Sequence, residues 1–441
     1  MQLDSALKNT AVLGASGKMG RGISALLLQE IAKENAKNFG EDHCSLILID
    51  PNTSSFSSLK RYLREQTLKY AEKNINTLRE IYSDQKKLVS NKEMIDQFVQ
   101  GAMEALVITD ALAAASQSSL VFEAIIEDSQ EKAKILSSLK SLQIKPGFFF
   151  TNTSSIPIHV LEDLSGLHGH LIGFHFYNPP LVQKLVELVI PKDCKEELKA
   201  LSKELLKRFN KIEVIAEDVA GFIGNGYLMQ ETVFACEKAR EFGTIHSMAE
   251  GIYLVDTVTK EWLLRPMGIF QLIDYVGIDV TDRILKTMQV YLPHKKLHDE
   301  LIDWMILSGK TGGQTADGTL KPGFFAYEQD KIVSVYDPQK KIYIPIEELR
   351  EAKAKLGKEP SLTFKTLQND PEKLKKIVEH FKNLKKGTGF GDELGQKILV
   401  HLQKISEELV HSHVAKKRED VDLVLKNGFY HLYGAFESEA F

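Results

Sequence analysis

Thr10-Ala11-Val12-Leu13-Gly14-Ala15-Ser16-Gly17-Lys18-Met19-Gly20 runs into an amphipathic stretch from Ile23 to Ile31, and this order of apolar strand, glycine turn and helix decides the fold. Leu46-Ile47-Leu48-Ile49 is the next buried strand and stops at Asp50-Pro51. Residues 57–105 are charged, with Tyr62, Leu63, Leu68, Ile75 and Leu78 at helical spacings, and read as a helical excursion. Apolar strands return at Leu120–Phe122, Phe148–Phe150, Leu171–Phe174 and Ile212–Ile215. Strands alternating with helices predict a parallel, doubly wound α/β sheet over residues 1–215.

From Gly221 to about Met305 the pattern is almost wholly helical, which predicts an all-α domain over 216–330. Glycine and proline punctuate the chain after Gly309, short alternating runs follow around Ile332 to Ile346, and residues 331–349 read as a linker. A second helical domain is expected over 350–441. It carries an echo of the first: Val255-Asp256-Thr257-Val258 precedes Gly268-Ile269-Phe270, and Val421-Asp422-Leu423-Val424 precedes Gly434-Ala435-Phe436, both with twelve residues from Asp to Gly. Tandem duplication explains the echo; two unrelated helix ends sharing small turn residues are the alternative.

The 441 residues, 43% hydrophobic, suffice for two or three cores. A formal net charge of −4 gives no general attraction to nucleic acid or anionic membrane. Cys44, Cys194 and Cys236 lie far apart, match neither a disulfide framework nor a zinc pattern, and suit a reducing compartment. No signal peptide and no run of the roughly 20 apolar residues needed to span a membrane is evident, so the expected location is cytoplasmic. His411 and His413 do not share a helix face and lack a third ligand, so no metal is assigned.

The glycine turn offers backbone NH groups at a helix N-terminus, where the positive end of the dipole favours a pyrophosphate. Gly14, Gly17 and Gly20 are spaced one residue more widely than the usual dinucleotide fingerprint, but they occupy the first turn after the first strand. Asp50 ends the second strand, where a carboxylate accepts from the adenosine ribose and repels a 2′-phosphate, so NAD is favoured over NADP. An ordinary turn aspartate before Pro51 is the alternative. Gly14 and Asp50 are 36 residues apart, so the first helix or the loop around Asn35 to His43 must be extended.

Between Thr151 and Glu187 the chain gathers Ser154, His175, Asn178 and Glu187. A histidine backed by a carboxylate at its second ring nitrogen suits proton abstraction from an alcohol. Twelve residues separate His175 from Glu187, too far for one helix face, but Pro179-Pro180 forces a turn that could fold the second segment back.

Several ordered motifs resemble the L-3-hydroxyacyl-CoA dehydrogenase family: Val121-Phe122-Glu123-Ala124-Ile125-Ile126-Glu127, Asn152-Thr153-Ser154-Ser155, His175-Phe176-Tyr177-Asn178-Pro179, Asp218 to Asn225, and Arg265 to Gly277. The match runs from residue 10 to about 330. It implies a Rossmann-like domain followed by helical domains, and NAD-dependent oxidation of (S)-3-hydroxyacyl-CoA to 3-ketoacyl-CoA, as in fatty-acid β-oxidation. His175 would be the catalytic base, Glu187 its orienting carboxylate and Ser154 the group holding the substrate oxygen. Asn178 would lie beside that site, and Asn225 would complete it from the helical domain. Glu127, Lys132 and Lys310 match nucleotide-contacting positions. Lys73 could meet the CoA phosphates or be an ordinary solvated lysine.

The glycine loop has an extra residue, Tyr177 replaces a usual phenylalanine, Gly226 stands where a basic residue often follows Asn225, and Gln314 to Leu320 looks inserted. Relatives with one helical domain pair through it, so a second copy implies a monomer, or a homodimer through another surface. Two other functions stay open: an NAD-dependent dehydrogenase of a small hydroxy or sugar acid, and a non-catalytic NAD-binding protein that kept the fold.

Overall fold

Eight short strands form one sheet: β1 (Asn9–Leu13), β2 (Ser45–Ile49), β3 (Leu106–Thr109), β4 (Leu120–Glu123), β5 (Phe148–Thr151), β6 (Leu171–Phe176), β7 (Leu185–Val189) and β8 (Ile212–Ala216). In the computed structural model, which describes residues 2–38, 43–145, 147–245, 247–315, 318–329 and 331–440, their order is β3-β2-β1-β4-β5-β6-β7-β8. Every residue of β4, β5, β6 and β7 is buried, as in sheets covered on both faces. Phe122 stacks on Phe150 at 4.6 Å, and Phe174 meets both rings edge-on.

The expectation of a parallel sheet holds for β1 to β6 but not beyond. β7 pairs antiparallel with β6, and β8 runs parallel to β7, so the last two strands oppose the other six. The cause is local: β6 and β7 are joined by a short turn around Pro179 and Pro180, whereas a parallel pair needs a long crossover. The edge strand β3 is absent from the sequence reading because its four residues, mostly part-exposed, follow directly on the helix Asn91–Glu104. The excursion after β2 is helical over Phe56–Lys73, Ile75–Ile81 and Asn91–Glu104, with Leu63 and Leu78 fully buried. The helix Lys18–Lys37, twenty residues long, fills most of the interval between Gly14 and Asp50; residues 39–42 of the loop after it lie outside the described residues.

The chain divides into two units, Met1–Asp218 and Val219–Phe441. The second is helical, with one addition: an antiparallel sheet of β9 (Phe325–Glu328), β10 (Lys331–Asp337) and β11 (Ile342–Pro345). The interval 331–349, read above as a linker, therefore holds two strands and a helical turn, Ile346–Leu349. Val335 and Tyr336 join Phe270 and Phe324 in one core; as consecutive residues they lie on opposite faces of β10, so this end of the strand is covered on both sides. Gln314 and Leu320, the flanks of the inserted stretch, form an antiparallel bridge; residues 316 and 317 lie outside the described residues.

The echo in sequence is an echo in structure. Asp256 accepts from the Gln271 amide at 2.9 Å, just inside the helix Ile269–Val276. Asp422 accepts from the amides of Phe436 and Glu437 at 3.0 and 3.3 Å. In both places the carboxylate occupies the space of a missing side chain: a Cβ on Gly268 would lie 2.2 Å from Asp256 Cγ, and one on Gly434 2.0 Å from Asp422 Cγ. Burial, only partly offset by the amides, pushes the Asp256 carboxyl up to about 7 and raises that of Asp422.

The helix Phe390–His411 packs on the turn Val258–Trp262. Trp262 is fully buried, and its Nε1 donates to Asp392 at 3.0 Å. A Cβ on Gly391 would stand 2.5 Å from its ring. The Tyr433 hydroxyl donates to the Leu263 carbonyl at 2.8 Å. Trp262→Ala should destabilise the protein by roughly 3–5 kcal/mol, the usual result of emptying a large aromatic site. Trp262→Phe, which keeps most of the volume and loses one hydrogen bond, should cost about 1 kcal/mol. Denaturant midpoints of the two variants check this; equal losses would remove Trp262 as the anchor.

Candidate active site

The glycine turn is crowded by backbone alone. Gly14 has φ +77°, and a Cβ there would come 2.6 Å from the Ala124 carbonyl oxygen. A Cβ on Gly20 would sit 2.0 Å from the Gly14 carbonyl oxygen. Gly17 begins the helix Lys18–Lys37 with no side-chain cap on its first amides, the arrangement that suits an anion. Asp50, 8% exposed, accepts from the Ser16 amide through Oδ2 and from the Asn52 amide through Oδ1, each at 2.9 Å. Each carboxylate oxygen keeps acceptor capacity for a ribose hydroxyl. These residues fit a dinucleotide: the glycines let the turn pack tightly on its own backbone at the start of a helix, and Asp50 keeps acceptor capacity beside it.

Behind this turn lies a buried charge cluster. The Lys132 side chain is 1% exposed, with Nζ 2.6 Å from Glu123 Oε1 and 3.3 Å from Glu127 Oε2. Glu123 also accepts from the Thr151 hydroxyl at 2.6 Å and the Ile125 amide at 2.7 Å. Glu127 Oε1 accepts from the hydroxyls of Thr153 and Ser155, at 2.6 and 2.8 Å, and from the amides of Ser154 and Ser155, at 2.9 and 3.0 Å. Burial alone would raise the Glu127 carboxyl, but the Lys132 charge and these four donors hold it below its ordinary range. Burial likewise opposes the Lys132 charge, and Glu123 and Glu127 outweigh it and raise the ammonium. Glu127 and Lys132, expected as nucleotide contacts, also brace the loop that carries Ser154.

His175 on β6 and Glu187 on β7 are direct partners in the antiparallel register. His175 Nδ1 lies 3.1 Å from Glu187 Oε1, and Glu187 is fully buried. A carboxylate at Nδ1 fixes the proton there and leaves the Nε2 lone pair to act as a base. Asn152 Oδ1 accepts from the Phe176 amide at 2.9 Å and ties the Asn152–Ser155 loop to the end of β6. Ser154 and Asn178 are half-buried, on that loop and just beyond β6.

The remaining expected residues lie elsewhere in the chain. Asn225 is the second residue of the helix Gly224–Gly243 in the second unit. In that unit Lys310 Nζ stands 5.1 and 5.5 Å from the ring centres of Tyr343 and Tyr336, a cation on two aromatic faces. Lys73 is exposed in the last turn of the helix Phe56–Lys73, as a solvated lysine would be. Among the described residues there is no group of three or more His, Cys, Asp or Glu arranged for a metal ion, and no helix is long and apolar enough to cross a membrane.

Sequence reasoning missed three contributors: Glu123, Asn152 in its bridging role, and the Tyr177 hydroxyl, which donates to Glu187 Oε1 at 2.7 Å. The available signal for Glu123 is a carboxylate at the end of a wholly apolar strand, Leu120–Glu123, where burial demands a cation.

Two family models cover most of the chain: the 3-hydroxyacyl-CoA dehydrogenase NAD-binding domain matches residues 9–219, and the C-terminal domain of the same enzymes matches residues 221–322. The chain belongs to the 3-hydroxyacyl-CoA dehydrogenase family. The first unit is accordingly an NAD-binding domain, and the protein is an NAD-dependent oxidoreductase of that family. The mitochondrial hydroxyacyl-coenzyme A dehydrogenase of Sus scrofa is 27% identical over 319 residues, 71% of this chain and 91% of its own. A probable 3-hydroxybutyryl-CoA dehydrogenase of Deinococcus radiodurans is 30% identical over 203 residues, 46% of this chain and 71% of its own. The crystal structure of the Escherichia coli 3-hydroxybutyryl-CoA dehydrogenase shares the fold with a TM-score of 0.62 at 17% identity, over 98% of this chain and 91% of that one. The structural likeness thus extends over the C-terminal residues that the family models leave unmatched.

Lys132→Met leaves the buried Glu123 and the part-buried Glu127 without their cation, so a loss of roughly 3–5 kcal/mol is expected from urea unfolding. The sign with pH follows from the shifts. The depressed Glu127 contributes stability above the ordinary carboxylate range and loses it as pH falls through its lowered folded value. The raised Lys132 contributes below its ordinary value and loses it as pH rises through its raised folded value. The Lys132→Met loss should therefore be flat across neutral pH; a loss confined to acid would contradict the cluster.

Proposed function

We propose that the protein catalyses reversible oxidation of (S)-3-hydroxyacyl-CoA to 3-ketoacyl-CoA, the dehydrogenation step of fatty-acid β-oxidation. The observation that carries this reading is the His175–Glu187 pair, 3.1 Å apart on facing strands. His175 Nε2 takes the substrate hydroxyl proton, and Glu187 stabilises the resulting imidazolium through Nδ1. In the reverse direction the imidazolium returns that proton to the carbonyl oxygen. The Ser154 hydroxyl holds the substrate oxygen, Asn178 borders it, and Asn225 is a further substrate-binding residue in this reading. NAD, when bound, supplies the acceptor for the hydride from C3. Gly14, Gly17 and Gly20 receive its pyrophosphate and Asp50 its adenosine ribose, while Glu127 and Lys132 contact the nucleotide and hold the Ser154 loop beside it. Lys310 is a further nucleotide contact in this reading, and Lys73 a contact for the CoA phosphates.

Steady-state assays with acetoacetyl-CoA and NADH, longer ketoacyl-CoA esters and several sugar acids test the proposal. Turnover of a CoA ester is expected, and His175→Gln should lower kcat by about 10²–10⁴-fold while leaving NAD affinity nearly unchanged. No turnover of any CoA ester, with brisk oxidation of a sugar acid, would point to the small hydroxy acid dehydrogenase instead.

We also infer that the helices after residue 350 act as an internal partner for those between 219 and 310. Support comes from Trp262 buried against Gly391 and from the repeated Asp-to-Gly cap. A duplicated surface of this kind replaces a second subunit. Light scattering should return the mass of one chain at micromolar concentration; a stable dimer formed through the helical unit would contradict the inference.

A further inference from the structure

Tyr177 stands where the family resemblance expects phenylalanine, and its added hydroxyl has a defined partner. It donates to Glu187 Oε1 at 2.7 Å, the same oxygen that faces His175 Nδ1 at 3.1 Å. Phenol and imidazole thus share one carboxylate oxygen. Their rings lie 5.0 Å apart at 36°, and both side chains are nearly enclosed.

We propose that Tyr177 is a positioning residue that tempers the proton affinity of His175 by competing with it for one oxygen of Glu187. The inference rests on the reading of His175 as the base. A carboxylate oxygen engaged by a phenol has part of its charge drawn toward that donor, and less is left to stabilise an imidazolium. The effect is large in a buried site because little water screens it. His175 on β6 and Tyr177 just beyond it are titratable groups that face Glu187. On the other flank β8 places the apolar Val214 opposite Glu187. Burial, and after it the Glu187 charge, pushes the Tyr177 hydroxyl well above its ordinary range, so it stays a donor throughout the working range. The phenol also pins the carboxylate in one orientation, which keeps Nε2 aimed as a base. With it, the histidine gives up its proton at lower pH than an unshared His–Glu pair would allow.

Titration of His175 in isotope-labelled protein by NMR, with no substrate present, tests the proposal. Tyr177→Phe should raise the His175 midpoint by about 0.5–1 pH unit, as expected when a competing hydrogen bond to a charged group is partly relayed. The acid limb of kcat/KM for oxidation should move upward by the same amount, with the KM for NAD unchanged. Replacing Tyr177 with 3-fluorotyrosine, a stronger donor of nearly the same shape, should move the midpoint downward. It also keeps the test open should the phenylalanine variant fold poorly. In a Glu187→Gln background, Tyr177→Phe should produce no further shift. An unchanged His175 midpoint in Tyr177→Phe, or an equal shift in both backgrounds, overturns the proposal. A protein inactive on every CoA ester would refute the reaction above while leaving this titration decisive, because the NMR measurement requires no turnover.

Discussion

Lys132 places its ammonium 2.6 Å from Glu123 and 3.3 Å from Glu127, with the side chain 1% exposed, and the functional edge of the sheet hangs on that arrangement. Lys132 thus lies between a fully buried carboxylate and a part-buried one, and its charge offsets the cost of placing them there. Ionised, each becomes a strong acceptor: Glu123 takes the end of β5 through Thr151, and Glu127 gathers four donors from Thr153, Ser154 and Ser155. Asn152 then ties this loop to β6 beside His175. The charge cluster thus helps to set where a hydroxyl and an imidazole stand.

Much of this architecture is legible in the order of residues alone. The strand, glycine turn and helix at residues 10–31 carry enough periodicity to give the fold class, and the run of short apolar strands gives the sheet. Direction is harder. β6 and β7 have the same all-buried character as parallel strands, and only the two prolines hint at a reversal. β10 and β11 are obscured because glycines and prolines nearby look like a linker, while the alternation that builds a small sheet spans only a few residues. For the site, residue types point to His175 and Glu187, but no pattern in one dimension reveals that Tyr177 and His175 meet on one oxygen. Sharing of that kind depends on register, and register is set by the whole sheet.

The helical unit solves one problem twice. A helix that begins inside a core leaves amides without partners, and an aspartate twelve residues upstream of a glycine answers them in both halves. The glycine is required because the carboxylate fills the volume a side chain would take. A change at either member of the Asp–Gly pair therefore disturbs the other, whereas solvent-facing neighbours can vary without touching it.

Asp50 joins two segments far apart in sequence, because one oxygen holds the Ser16 amide of the glycine turn and the other the Asn52 amide after β2. The turn and the strand end are consequently one mechanical body. Neither can shift toward a ligand without dragging its counterpart, so the groups that would receive a ribose and those that would receive a pyrophosphate keep a fixed separation. A ligand that carried its sugar and phosphates at that spacing would meet both ends of this clamp, and a fragment that offered only one of them would meet one end alone.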